Sequence, residues 1–252
     1  RKTFALLAYL AVEGGEQQRE HLAALLWPDA TPTRSHASLR NTLGHLLGAL
    51  RTASKRAETN YLSVSHGAIG LNLEAGVDLD LQIAERAYGL ARAERSSRTT
   101  PPSEASLPFL QAAAGYRGDF MAGFSLGDAP AFDDWVGSQR EIWRRRIGLI
   151  LDRLSEIQYA SGEFASTAET ADAWIALDSL NERAYRRKMR AHFAAGERGQ
   201  ALETYVACRA MLAQELNVEP APDTEALAAH IRTQHPARGA APLSQSPVTP
   251  LA

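Results

Sequence analysis

The stretch TPTRSHASLRNTLGHLLGALRTA (residues 31–53), followed by LSVSHGAIGLNL (62–73), decides the fold. In the first, Thr31 or Thr33 offers an N-cap oxygen and Pro32 has the fixed φ that suits a first helical turn. Leu39, Leu43, Leu46, Leu47 and Leu50 then recur at the spacing of one helix face. In the second, the period drops to two. Leu62 and Val64 alternate with serines, His66-Gly67 makes a turn, and Ile69, Leu71 and Leu73 alternate again. A long helix followed by a β-hairpin is expected.

Two shorter helices precede this pair. Phe4, Leu7, Leu10 and Ala11 repeat at helical spacing until Gly14-Gly15 stops them, and Gln18 to Trp27 repeats the pattern through Leu22, Leu25 and Leu26 until Pro28. Three helices and then a hairpin is the order of parts in a winged helix-turn-helix, with the hairpin as wing. The charge distribution agrees. The whole chain carries a formal charge of −2, but residues 1–56 hold Arg1, Lys2, Arg19, Arg34, Arg40, Arg51, Lys55 and Arg56 against Glu13, Glu16, Glu20 and Asp29. A locally positive surface is what phosphate contact requires.

An apolar fraction of 45% with 22% charge belongs to a globular protein, and no run approaches the eighteen or so apolar residues of a membrane span. No secretory signal pattern opens the sequence, and the single cysteine, Cys208, cannot form an internal disulfide, so a cytoplasmic protein is expected. Phosphate-binding Gly-Lys-Ser/Thr loops, Gly-x-Ser-x-Gly elbows, His-Glu-x-x-His pairs and zinc-ligand spacings are all missing. The chemistry expected is recognition, with no catalytic residues, cofactor or metal.

Beyond the hairpin, Asp80 caps a helix containing Ile83, Ala84, Ala87, Leu90 and Ala91, and a Ser/Thr/Arg/Pro-rich stretch at 94–106 reads as a flexible loop. A stripe from Phe132 through Trp135, Val136, Trp143, Ile147, Ile150, Leu151 and Leu154 to Ile157 makes a long helix that stops at Gly162. Gly162-Glu163 and Gly196-Glu197 then lie 34 residues apart, the tetratricopeptide period. Ala201, Tyr205 and Cys208 take the close-packing positions of one unit, and Thr167, Ala171 and Trp174 those of a degenerate other. The fold expected is mostly α: a winged helix-turn-helix over 1–78, an all-helical tetratricopeptide-like domain over 79–235, and a disordered tail or linker over 236–252.

Four stretches resemble the Streptomyces antibiotic regulatory protein family of transcriptional activators: Leu6-Leu7-Ala8-Tyr9-Leu10 ahead of Gly14-Gly15; His21-Leu-Ala-Ala-Leu-Leu-Trp-Pro-Asp29; Ala37-Ser-Leu-Arg40; and Tyr116-Arg-Gly-Asp-Phe-Met-Ala-Gly-Phe124. Ala201-Leu202, Tyr205, Cys208-Arg209, Leu212, Glu215-Leu216 and Val218-Glu219-Pro220 extend the resemblance into the last third. It implies a winged helix followed by a bacterial transcriptional activation domain, binding to promoter direct repeats in double-stranded DNA, a homodimer on that DNA, and contact with RNA polymerase. Family members carry a β-sheet under helix one, and larger relatives add a nucleotide-binding module after the helical domain. The sequence is therefore expected to be an excerpt that lacks the N-terminal sheet.

With the leucines of helix 31–53 inward, the opposite face carries Arg34, Ala37, Ser38, Asn41, Gly44, His45 and Gly48. Arg reads guanine and Asn reads adenine bidentately in the major groove, so Arg34 and Asn41 are the expected base readers, with His45 and Ser38 less selective. Arg40 and Arg51 on the flank are expected to contact phosphate, and Ser65, His66 and Gly67 at the wing tip to reach the backbone or the minor groove. The competing reading is a tetratricopeptide-like interaction scaffold whose winged helix binds no DNA. Arg140, Arg144, Arg145 and Arg146 read as a solvated helix face. The tryptophans and Cys208 read as packing residues.

Overall fold

The computed structural model describes residues 1–53, 60–75, 79–95 and 106–234. Lys55, Arg56, most of the loop expected at 94–106, and the expected tail lie outside the described residues. By packing, the chain forms two units. The first is Arg1–Leu90 with Gln111–Ile147, and the second is Ala91–Leu110 with Gly148–Ala252. Neither is a continuous segment.

The first unit opens with α1 (Lys2–Glu13), β1 (Glu16–Gln18), α2 (Arg19–Leu26) and α3 (Pro32–Ala53), followed by β2 (Leu62–Val64), β3 (Ala68–Leu71) and α4 (Asp80–Arg95). The three helices and the hairpin are those expected. β1 is not: its three residues, Glu-Gln-Gln, carry no apolar alternation, and it exists because β3 accepts a second neighbour. The sheet runs β1-β3-β2, antiparallel throughout, with Gln17 opposite Ile69 and Val64 opposite Ile69 on the other side. As the central strand, β3 is buried at all four positions, where period-two reading expects half-burial. Leu73 falls beyond the strand, in a 3-10 turn (Leu73–Ala75).

Two glycines make that third strand fit. Gly15 sits at φ +57°, and a Cβ on Gly70 would lie 2.6 Å from the Gly15 carbonyl oxygen, too close for any side chain. Gly70→Ala is therefore expected to destabilise the first unit by roughly 1–3 kcal/mol, the usual cost of overpacking. Urea denaturation reads this as a lower midpoint at unchanged slope.

α1 corrects the face expected of it. Its buried residues are Ala5, Leu6, Tyr9 and Leu10, while Phe4 is 53% exposed. The helix is apolar nearly all round, and such a helix has two candidate faces from spacing alone. The chosen face packs with Leu22 and Leu26 of α2, Leu39, Leu43 and Leu46 of α3, and Leu62, Ile69 and Leu71 of the sheet.

The same core takes in residues far along the sequence. α5 spans Leu107–Gly115 and α6 spans Pro130–Ala160. Between them, a strap over 116–129 lays Phe124 against Phe4 (ring centroids 5.5 Å). The start of α6 then adds Phe132 and Val136 to the core and places Trp135 4.9 Å from the Tyr9 ring. Trp135 Nε1 donates to Glu13 at 2.7 Å, and Lys2 Nζ lies 2.8 Å from the Asp128 carboxylate.

The strap is fixed from within. Arg140 donates to the carbonyls of Phe120 (3.0 Å), Met121 (2.8 Å) and Phe124 (3.3 Å). Burial alone would raise the Asp133 pKa. Amide donors from Leu126 (2.8 Å) and Gly127 (3.1 Å), with the Ser125 hydroxyl (2.8 Å), outweigh it and hold the carboxyl below its ordinary range. Arg144 pairs with Asp119 and holds that carboxyl low as well, while burial and Asp119 push the Tyr116 phenol up to about 12. Arg146 pairs with Glu85 and lies over the Tyr88 and Trp143 rings. Three of the four arginines expected on a solvated face are thus structural.

In the second unit, α7 (Phe164–Leu177), α8 (Glu182–Ala194), α9 (Arg198–Leu216) and α10 (Pro222–Thr233) each pack against the next in sequence. The 34-residue repeat is visible bond by bond. Glu163 N donates to Gln158 O at 2.9 Å, and Glu197 N to His192 O at 2.8 Å. Gly162 and Gly196 take φ of +78° and +85°. Thr167, Ala171, Trp174, Ala201, Tyr205 and Cys208 are all buried, as close packing of paired helices requires. Burial pushes the Cys208 thiol up to about 11, so it stays protonated and packs as a small apolar group.

Candidate nucleic-acid interface

α3 is amphipathic in the way its leucines set. Ser35, Leu39, Thr42, Leu43 and Leu46 are buried, and the Ser35 hydroxyl donates to Pro32 O at 3.0 Å within the first turn. Along the opposite side Arg34, Ala37, Asn41, Gly44, His45 and Gly48 are exposed, with Ser38 half-buried beside them and Arg40 and Arg51 exposed on the flanks. The helix carries three arginines and two histidines over 22 residues and no carboxylate. No ion pair within the described residues neutralises Arg34, Arg40 or Arg51.

The two glycines shape this surface. Nothing lies within 4 Å of a Cβ built on Gly44 or Gly48. Glycine in a helix interior costs about 1 kcal/mol relative to alanine. Among the described residues packing requires neither glycine, and each leaves its own position on the exposed stripe bare, on either side of His45.

The wing tip is the β2–β3 turn. Ser65 N donates to Ala68 O at 3.0 Å, and the Ser65 hydroxyl accepts from Ala68 N at 3.1 Å, so this serine closes the turn. His66 is exposed at the tip. Arg19, counted in the basic excess but not among the expected DNA contacts, belongs to the same neighbourhood. Its N–H donates to Gly67 O at 2.9 Å where β1 passes into α2. The β1–β3 pairing brings it to the wing, and nothing apolar in Glu16–Gln18 announces that pairing.

The bacterial transcriptional activator domain family model matches residues 79–232. Among solved structures the chain is similar to Mycobacterium tuberculosis EmbR in complex with low affinity phosphopeptide, with a TM-score of 0.65 at 20% identity. The match covers 94% of this chain and 60% of that one. No curated protein matches. The fold is thus that of a winged helix followed by a tetratricopeptide-like helical region, and the chain belongs to the bacterial transcriptional activator domain family of transcription regulators, as its resemblance to Streptomyces antibiotic regulatory proteins implied.

Proposed function

We propose that the chain is a sequence-specific activator. α3 enters the major groove of promoter DNA, Arg34 and Asn41 read bases, and His45 and Ser38 assist. Arg40, Arg51, Ser65 and His66 hold the backbone. Residues 1–78 supply the DNA reader, and residues 79–235 supply the surface that recruits RNA polymerase to direct repeats occupied by two copies. It acts by recognition, with no reaction catalysed.

The observation that carries this reading is the carboxylate-free stripe of α3, bare at Gly44 and Gly48 and flanked by arginines. A groove-facing helix needs close approach and positive charge together, whereas a merely solvated helix needs neither glycine. Gel-shift titration on the promoter of the chain's own operon tests it. Arg40→Ala should weaken binding to all sequences alike and reduce the salt slope by about 1. Absence of DNA affinity even at low salt, with capture of a protein partner, would instead favour the helical pairs as an interaction scaffold.

The glycines give a second test. Gly44→Ala and Gly48→Ala have room for the added methyl, so each should raise stability by about 1 kcal/mol while weakening promoter binding. A thermal melt and a gel shift on the same samples separate the two effects. Raised stability with undiminished DNA affinity would sink the close-approach argument.

A further inference from the structure

The second apolar face of α1 opens on a cavity of about 650 Å³, lined wholly by residues of the first unit. Leu7, Ala8 and Ala11 form one wall, Ala84 of α4 and Met121 of the strap face the same space, and Trp143 of α6 is at its back. The volume lies within the roughly 300–1,000 Å³ of small-molecule sites. These walls come from segments more than a hundred residues apart, and the strap wall is pinned by Arg140 through three carbonyls. The space is therefore a feature of the packed unit, held open by hydrogen bonds outside it.

Charge at the cavity edge is already balanced. Asp119 is paired with Arg144, and the Tyr116 hydroxyl is committed to Asp119 at 3.2 Å. The Asp80 carboxylate accepts from Leu81 N at 2.8 Å, and Arg117, which also lines the space, carries the opposite charge. An ionic ligand would lose its hydration there without meeting a net opposite charge. We propose that this cavity binds a small, uncharged, mostly apolar molecule, whose contacts join α1 to the strap and α6.

Nile red, an uncharged dye whose emission shifts to the blue in apolar surroundings, is the probe, titrated into the 252-residue chain. The expected result is saturable uptake of one equivalent, at least tenfold weaker in Ala8→Trp, which fills the space. Uptake by Val206→Ser, which removes a side chain 62% exposed on α9, should be unchanged. The anionic dye anilinonaphthalene sulfonate should bind at least tenfold more weakly than Nile red. Circular dichroism and melting temperature check that Ala8→Trp folds, and Ala11→Phe replaces it if it does not. Uptake that fails to saturate, survives both filling variants or falls in Val206→Ser would overturn the site, and equal affinity for the anionic dye would overturn its ligand class. The readout is independent of DNA, so failure of the promoter-binding reading leaves it standing.

Discussion

Phe132→Ala is expected to cost the first unit about 3–5 kcal/mol, the range for removing a fully buried aromatic ring. Phe132 has no exposed surface and sits against Phe124 (6.2 Å) and Trp135 (5.3 Å), all three within the core that also contains α1, α2 and α3. A loss of this size takes a large share of the stability of an ordinary domain. The variant should therefore lose its helix-turn-helix structure and with it all promoter binding, although residue 132 is far from α3 in the sequence. Hydrogen exchange measured segment by segment is the decisive observation. Unchanged protection of α1 and α3 in Phe132→Ala would show that the winged helix stands without the start of α6.

Arg34→Ala and Asn41→Ala carry the other large effect. A bidentate side-chain pair is worth roughly 1–3 kcal/mol of base discrimination, or about 5- to 150-fold per residue. The double variant should bind promoter and random DNA almost alike, and its melting temperature should hardly move, because both side chains are exposed and make no bond within the described residues. Competition binding between the two DNAs measures the ratio directly. A double variant that keeps its preference would remove α3 as the reader and direct attention to the wing.

How much of this was legible beforehand depended on whether neighbours in space were also neighbours in sequence. α3 declared itself because one row of leucines fixes its inward side, and the outward stripe then follows by rotation. The turns at Gly162 and Gly196 declared themselves because a repeated unit repeats its φ > 0 position. α1 did not, because Phe4, Leu7 and Ala11 fit one helix face as well as Leu6, Tyr9 and Leu10 fit another, and only the placement of α2 and α3 chooses between them. β1 and the strap were hidden for a related reason. Glu16–Gln18 becomes a strand only when β3 lies alongside, and Arg140 is a structural residue only when three distant carbonyls converge on it.

The interleaving of the two units bears on how such a protein can be inherited or rebuilt. The chain leaves the first unit after Leu90, returns at Gln111 and leaves again after Ile147. No single crossover between two related genes can exchange one unit whole while sparing the other. A chimera joined at residue 78 would give α1 a foreign Phe124, Phe132 and Trp135, and a foreign Arg140 to hold them. Functional hybrids should therefore arise where parents already share those four side chains, which makes the strap and the start of α6 a compatibility tag between the segments before and after residue 78.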